Sequence, residues 1–374
     1  MTSPILLPPT LNVPPQTISG AGRSGAMSDL LSPFGSRIML VHGRSLTTNG
    51  HLDRILDGLS DRSSAGVYCH AGTEPTLDEV TKCVAALRAF KPDCVVAVGG
   101  GSVMDLAKAS AGLIDAPLSV EAYHGGAPLP VSNCPFVAVP TTAGTGSEAT
   151  YVSVLSDTAL GIKKSIRDPS HLPRLVVLDP ILLRSCPQHV LAASGMDAFT
   201  QAVEAYVSRG ATDFSDDLAL RGAATVFRNL MRIAEDRDAP DEAYLELLQG
   251  SYMAGLALSH ARLGLVHGLA HPLGYRFHAP HGLVCGVCLP AVIRFNREAA
   301  SAKFDVLSGV LGGDILDVTE DALIRLGLAS PFAGKAIDDI DAVVAETLAS
   351  GSTKANPRLP TEQDVIEMLA ALCA

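Results

Sequence analysis

The 374-residue sequence predicts an α/β N-terminal domain with a parallel sheet, over residues 1–185, and an all-α C-terminal domain, over 186–374. Three observations predict it. In the first half, short runs rich in β-branched residues alternate with helical patterns. Those runs are continuously apolar, as strands covered on both faces are. After about Pro187 such runs nearly vanish, and long stretches with helical apolar spacing take over.

In chain order, SRIMLVHG (36–43) reads as a buried strand ending in glycine, and HLDRILDGL (51–59) as a helix. GVYCHAG (66–72) is a further short strand. LDEVTKCVAALRAF (77–90) is a helix capped by Thr76, or by Thr73 ahead of Pro75. DCVVAVGGG is a strand running into glycines, followed by the helix SVMDLAKASAGL; PFVAVPTT (135–142) and RLVVLDP (174–180) are further strands. The second half reads as ASGMDAFTQAVEAYVS, DFSDDLALRGAATVFRNLMRIAE and DEAYLELLQGSYMAGLALSHA, then several shorter helices.

Composition excludes several classes. With 28 Lys+Arg against 39 Asp+Glu, the net charge of −11 gives no electrostatic footprint for nucleic acid or an anionic membrane. No run reaches the ~18–20 apolar residues of a membrane span. MTSPILLPPTLNVPP lacks a basic segment ahead of an apolar one, so it is not read as a signal peptide, and a cytoplasmic location is expected. The eight cysteines are then free thiols. Cys285 and Cys288 make a lone C-x-x-C. No second pair accompanies it, so it reads as two packed thiols rather than a redox or zinc pair.

Three glycine-rich stretches bear on nucleotide binding. Gly20-Ala21-Gly22-Arg23-Ser24-Gly25 matches G-x-G-x-x-G, but QTIS is a poor strand before it. The acid expected ~20 residues later is missing, since 42–45 read His-Gly-Arg-Ser. It reads as a turn between an edge strand and a helix. Gly99-Gly100-Gly101-Ser102 follows the buried strand CVVAV and opens a helix, where free N–H groups and the positive dipole end suit a pyrophosphate. Pro140–Ser147 also follows a strand and offers the hydroxyls of Thr141, Thr142, Thr145 and Ser147.

Five of the eleven histidines, His260, His267, His271, His278 and His281, fall within 22 residues. His267 and His271 are i,i+4 on one helical face, as are Asp197 and Gln201 on another helix; His281 lies beyond Pro280. Such density beside a carboxylate points to a metal centre.

Together these residues resemble the iron-containing (group III) alcohol dehydrogenases. The resemblance is carried by GGGSVMDLAKA (99–109), PTTAGTGSEAT (140–150), DPSHLPRLVVLDP (168–180), GMDAFTQAVEAYVS (195–208), GLVHGLAHPLGYRFHAPHG (264–282) and NPRLPTEQDV (356–365), spread over essentially the whole chain. It implies a dinucleotide-binding α/β domain and a helical metal- and substrate-binding domain, with the site in the cleft between them. The implied reaction is hydride transfer between a nicotinamide cofactor and a primary alcohol or aldehyde, in a possible homodimer.

By motif position the resemblance puts the metal, Fe2+ or Zn2+, on Asp197, Gln201, His267 and His281, and makes His271 a cleft residue able to relay a proton. Asp105, Thr150 and Lys163 match positions near the cofactor, alongside Gly99, Gly100, Gly101, Ser102, Thr141, Thr142 and Thr145. The turn Gly43-Arg44-Ser45 resembles that of NADPH-dependent members. It has no carboxylate to repel a 2′-phosphate, and Arg44 and Ser45 can bind one, so NADP(H) is expected over NAD(H). Gln201 departs from the family, which has histidine there; a neutral amide oxygen is a weaker donor than imidazole. Three alternatives accompany this departure. They are a metal-independent reductase resembling maleylacetate reductase, a sugar-phosphate cyclase resembling dehydroquinate synthase, and a non-catalytic nucleotide-binding protein.

Overall fold

A computed structural model describes residues 5–59, 63–70, 72 and 74–374. It divides into two compact units: Asn12–Cys186, and Pro187–Ala374 together with the segment up to Leu11.

The first unit is built on a six-stranded sheet in the order β1-β8-β5-β4-β2-β3. Its strands are β1 (Thr17–Ser19), β2 (Arg37–Gly43), β3 (Ser64–His70), β4 (Cys94–Gly99), β5 (Phe136–Pro140) and β8 (Leu175–Leu178). Every pairing is parallel. The continuously apolar runs are the central strands: all of β4, β5 and β8 is buried. Side chains of Ile38, Leu40, Val96, Val98, Val137, Val139, Leu175 and Val177 form one core cluster with Leu31, Ile55 and Leu59. The edge strand β3 is half exposed.

Thr76 caps the helix Leu77–Phe90, its side chain accepting from Glu79 N at 3.2 Å; Thr73 and Ala71 lie outside the described residues. A small antiparallel hairpin, β6 (Val152–Asp157) with β7 (Ile162–Arg167), was not evident in the sequence pattern. It is fastened to the helix Gly101–Gly112. Asp105 Oδ2 accepts from Val154 N at 2.9 Å, and Lys108 Nζ donates to the Val152 carbonyl at 2.8 Å.

The glycine-rich turn after β1 spends its donors within the protein. Gly22 N and Ser24 N donate to the Asp179 carboxylate at 3.1 and 2.8 Å, and Ser24 Oγ donates to it at 2.6 Å. An anion already sits where a pyrophosphate would be needed, so the G-x-G-x-x-G pattern closes a turn, as expected.

His171 gives this unit an acid-sensitive point. It is 2% exposed, and its ring lies against the bare Cα of Gly112, where a Cβ would come within 2.2 Å of Nε2. Neither ring nitrogen has a hydrogen-bond partner among the described residues, and burial pushes its pKa down to about 4. The folded ring stays neutral while the unfolded one protonates below 6.5, so stability is lost as pH falls from about 6.5 to about 4. The loss should reach about 3 kcal/mol across that window. Denaturant midpoints of wild type and His171→Leu against pH check this. Equal slopes for the two proteins would refute it.

The second unit is helical. The helix Gln188–Val207 is buried at every position from Gly195 to Val207 and packs against Asp213–Glu235, Asp241–Ala261 and His281–Asn296. The N-terminal segment belongs to this unit, not to the sheet. The carbonyls of Ile5 and Leu6 accept from Asp213 N and Phe214 N at 3.0 Å each, meeting the otherwise unpaired donors at a helix start.

Candidate active site

The parallel register brings the ends of β2, β4 and β5 side by side: His42 faces Val98, and Gly99 faces Pro140. From β2 the chain leaves toward β3, and from β4 it leaves toward β5, on opposite sides. The crevice between the ends of β2 and β4 is therefore a topological switch point, where open α/β sheets bind ligands. Gly43, Arg44 and Ser45 stand at one lip, with both Arg44 and Ser45 exposed; Gly99–Ser102 stand at the other.

Gly100 is the N-cap of the helix Gly101–Gly112 and makes no side-chain cap, so the first N–H groups are left for a ligand. The threonine loop is stitched alongside, Thr141 N donating to the Gly99 carbonyl at 2.9 Å. Thr142 and Thr145 stand over the glycines: a Cβ at Gly100 would come within 3.2 Å of Thr142 Oγ1, and one at Gly101 within 2.5 Å of Thr145 Cγ2.

Three residues expected near the cofactor are engaged elsewhere. Asp105 accepts from Ser147 Oγ at 2.6 Å and from Val154 N, so it can reach the loop only through Ser147. Thr150 is buried beside Lys108 Nζ at 3.5 Å. Lys163, on β7, is ion-paired with Glu74. Lys108 itself is fully buried among Ser147, Thr150 and Val152; burial lowers its pKa to about 8, opposed by the charges of Asp105 and Glu148. These groups fix the loop and the hairpin to the helix.

The second unit gathers the metal-type side chains. Asp197, Gln201 and Glu204 follow one another at i, i+4 and i+7 along Gln188–Val207, on one face, and are 2%, 3% and 2% exposed. His267 and His271 lie on the helix Leu265–Phe277. His281 is the first residue of the helix His281–Asn296, not part of a loop. That helix lies hard against Gln188–Val207 at Gly282, where a Cβ would come within 2.3 Å of the Ala193 carbonyl oxygen.

His267 Nε2 lies 3.4 Å from Asp197 Oδ1 and 3.7 Å from Cys285 Sγ; His281 Nε2 lies 4.0 and 3.5 Å from the same two atoms. One ligand atom from each of Asp197, His267, His281 and Cys285 falls within 4.8 Å of all the others. The His271 ring stacks on that of His281, with centroids 5.4 Å apart and planes at 17°. His271 thus borders the cluster without being one of its donors.

Two further residues complete the picture: Glu204, which the sequence reading passes over, and Cys285, which it reads as a thiol packed with Cys288. Glu204 accepts from His267 Nδ1 at 2.6 Å and from Val266 N at 2.6 Å. This holds a proton on Nδ1 and turns Nε2 toward Asp197. Its i+7 spacing from Asp197 was the available signal. Cys285, one helical turn after His281, belongs with the histidines and not with Cys288. Cys288 is buried one turn further along.

The donor set fits a divalent cation. Asp197 Oδ1 and Gln201 Oε1 are buried without a hydrogen-bond partner among the described residues, a costly arrangement that a cation relieves. Burial would raise the Asp197 pKa. The neighbouring His267, His281 and Gln201 outweigh it and hold the carboxyl below its usual range.

A parallel sheet with a glycine loop at its switch point suits a dinucleotide, and a carboxylate–imidazole centre on helices suits a divalent metal. Residues 14–180 match the family model for iron-containing alcohol dehydrogenase, and 191–373 that for the C-terminal domain of the Fe-containing alcohol dehydrogenase family. The protein named probable alcohol dehydrogenase EutG of Escherichia coli (strain K12) is 33% identical over 379 residues, covering 97% of this chain and 94% of that one. Lactaldehyde reductase of the same strain is 30% identical, covering 93% and 95%. The crystal structure of sulfoacetaldehyde reductase from Bifidobacterium kashiwanohense in complex with NAD+ is similar at a TM-score of 0.90 and 29% identity, covering 98% of each chain.

The chain belongs to the iron-containing alcohol dehydrogenase family. The activity this supports is metal-dependent oxidoreduction between alcohol and aldehyde, ahead of the metal-independent, cyclase and non-catalytic alternatives.

Proposed function

We propose that this protein interconverts a small aldehyde and its primary alcohol with NADP(H) in preference to NAD(H), using a divalent ion held by Asp197, His267 and His281. The observation that carries the metal assignment is the buried Asp197 Oδ1, unpaired yet 3.4 Å from His267 Nε2. When bound, the ion supplies Lewis-acid polarisation of the substrate oxygen.

The chain's own residues do the rest. Glu204 keeps His267 in the tautomer that offers Nε2. His271, stacked on His281, is the group we assign to proton exchange with the substrate oxygen. Gly100, Gly101 and Ser102 seat the cofactor pyrophosphate on a helix N-terminus, with Thr141, Thr142 and Thr145 alongside. Exposed Arg44 and Ser45, with no acid between 42 and 45, take a 2′-phosphate at the other lip of the crevice.

A panel of aldehydes and alcohols, assayed with both cofactors before and after chelation and metal restoration, tests this. Metal-restored turnover is expected, with kcat/KM about tenfold higher for NADP(H), and Arg44→Ala should erase most of that preference. A clear NADH preference in the unmodified protein would overturn the cofactor assignment. Full activity after verified metal removal would overturn the metal assignment.

A further inference from the structure

We infer that Cys285 is a metal ligand: its thiolate takes the place that the neutral Gln201 fills poorly, making the protein shell Asp197, His267, His281 and Cys285, to which the substrate oxygen adds as a fifth donor. This rests on the metal-dependent reading above. A tetrahedral zinc, with bonds of about 2.0–2.1 Å to imidazole nitrogen and carboxylate oxygen and about 2.3 Å to sulfur, sets sulfur–nitrogen separations near 3.6 Å and nitrogen–oxygen separations near 3.4 Å. The sulfur–nitrogen separations here are 3.7 and 3.5 Å, and His267 Nε2 lies 3.4 Å from Asp197 Oδ1. The 4.0 Å between His281 Nε2 and Asp197 Oδ1 has to shorten, and the remaining pairs lie within 4.8 Å.

Independent support comes from Asp197, which is 2% exposed and whose Oδ1 lies unpaired within 4.8 Å of the sulfur. Gln201 Oε1 is likewise buried without a partner among the described residues, but a neutral amide oxygen is a weaker donor than a thiolate.

Coordination exchanges the S–H bond for a sulfur–metal bond and releases the thiol proton to solvent, with no change of oxidation state. The consequences are chemical. One thiolate and one carboxylate neutralise a divalent ion, where a single carboxylate leaves a charge of +1. A sulfur donor also moves preference from ferrous iron toward zinc.

The test uses the full chain loaded with Co2+ as a spectroscopic stand-in for zinc. A thiolate-to-cobalt charge-transfer band in the near ultraviolet is expected in wild type, in Cys288→Ala and in Gln201→Ala, and is expected to vanish in Cys285→Ala. Zinc affinity, read by competition with a chromophoric chelator, should fall about a hundredfold or more in Cys285→Ala. The double variant Gln201→His/Cys285→Ala should regain affinity without regaining the band, which keeps the test informative where Cys285→Ala alone folds poorly. Metal-dependent turnover in wild type without the band, or a band lost only in Cys288→Ala, overturns the Cys285 ligand and leaves the dehydrogenase reading standing. Wild-type protein that binds no cobalt or zinc overturns both.

Discussion

Replacing His281 by alanine is expected to remove the metal and the dehydrogenase activity together, with kcat/KM falling by at least about a thousandfold. His281 is one of two imidazoles in the cluster, and its side chain is the most open of the four donor residues, at 25% exposure. It stands at the first position of its helix, so truncation leaves the Gly282 contact and the helix intact. His271→Ala gives the contrasting result. That ring stacks on His281 but is not among the four donors, so metal content should persist while the rate falls or its pH profile shifts. Metal analysis beside steady-state kinetics on the two variants separates them. Retained metal and turnover in His281→Ala would refute the assignment, and loss of metal in His271→Ala would move that residue into the shell.

Gly101→Val is expected to weaken cofactor binding about a hundredfold while leaving metal content unchanged. The added Cβ would stand 2.5 Å from Thr145 Cγ2 and 2.7 Å from its Oγ1, pushing the threonine loop away from the helix start and filling the space a pyrophosphate needs. Metal binding reports on the helical unit, so its persistence shows that the loss is local. Titration of cofactor fluorescence measures the effect. Unchanged affinity would remove the pyrophosphate from Gly99–Ser102.

How much could be read in advance depended on whether a signal was local. The strands β4, β5 and β8 were legible because burial on both faces writes itself as an unbroken apolar run. The hairpin of β6 and β7 was not, because each strand buries one face only, and its place is set by Asp105 and Lys108 from another element. The first residues were assigned to the sheet domain by position in the chain, whereas two backbone hydrogen bonds to Asp213 and Phe214 tie them to the helices.

The same distinction runs through the site. Asp197 with Gln201, and His267 with His271, announce themselves by helical spacing. Cys285 does not. Its nearest sequence pattern pairs it with Cys288, while His267 reaches it from 18 residues upstream on a different helix. Glu204 acquires its role only once the start of Leu265–Phe277 lies against it. For Asp105 and Lys163, motif position near a cofactor loop did not reveal their protein partners, Ser147 and Val154 for the one and Glu74 for the other.

All the donors of the metal cluster lie within Pro187–Ala374, and the glycine and threonine loops, with Arg44 and Ser45, lie within Asn12–Cys186. For molecular evolution this amounts to modular inheritance. On the assignments proposed above, substitutions at 43–45 act on the reductant site in one unit, and substitutions at 201 and 285 on the ion's donors in the other. Mutational paths through the two halves need not wait for each other.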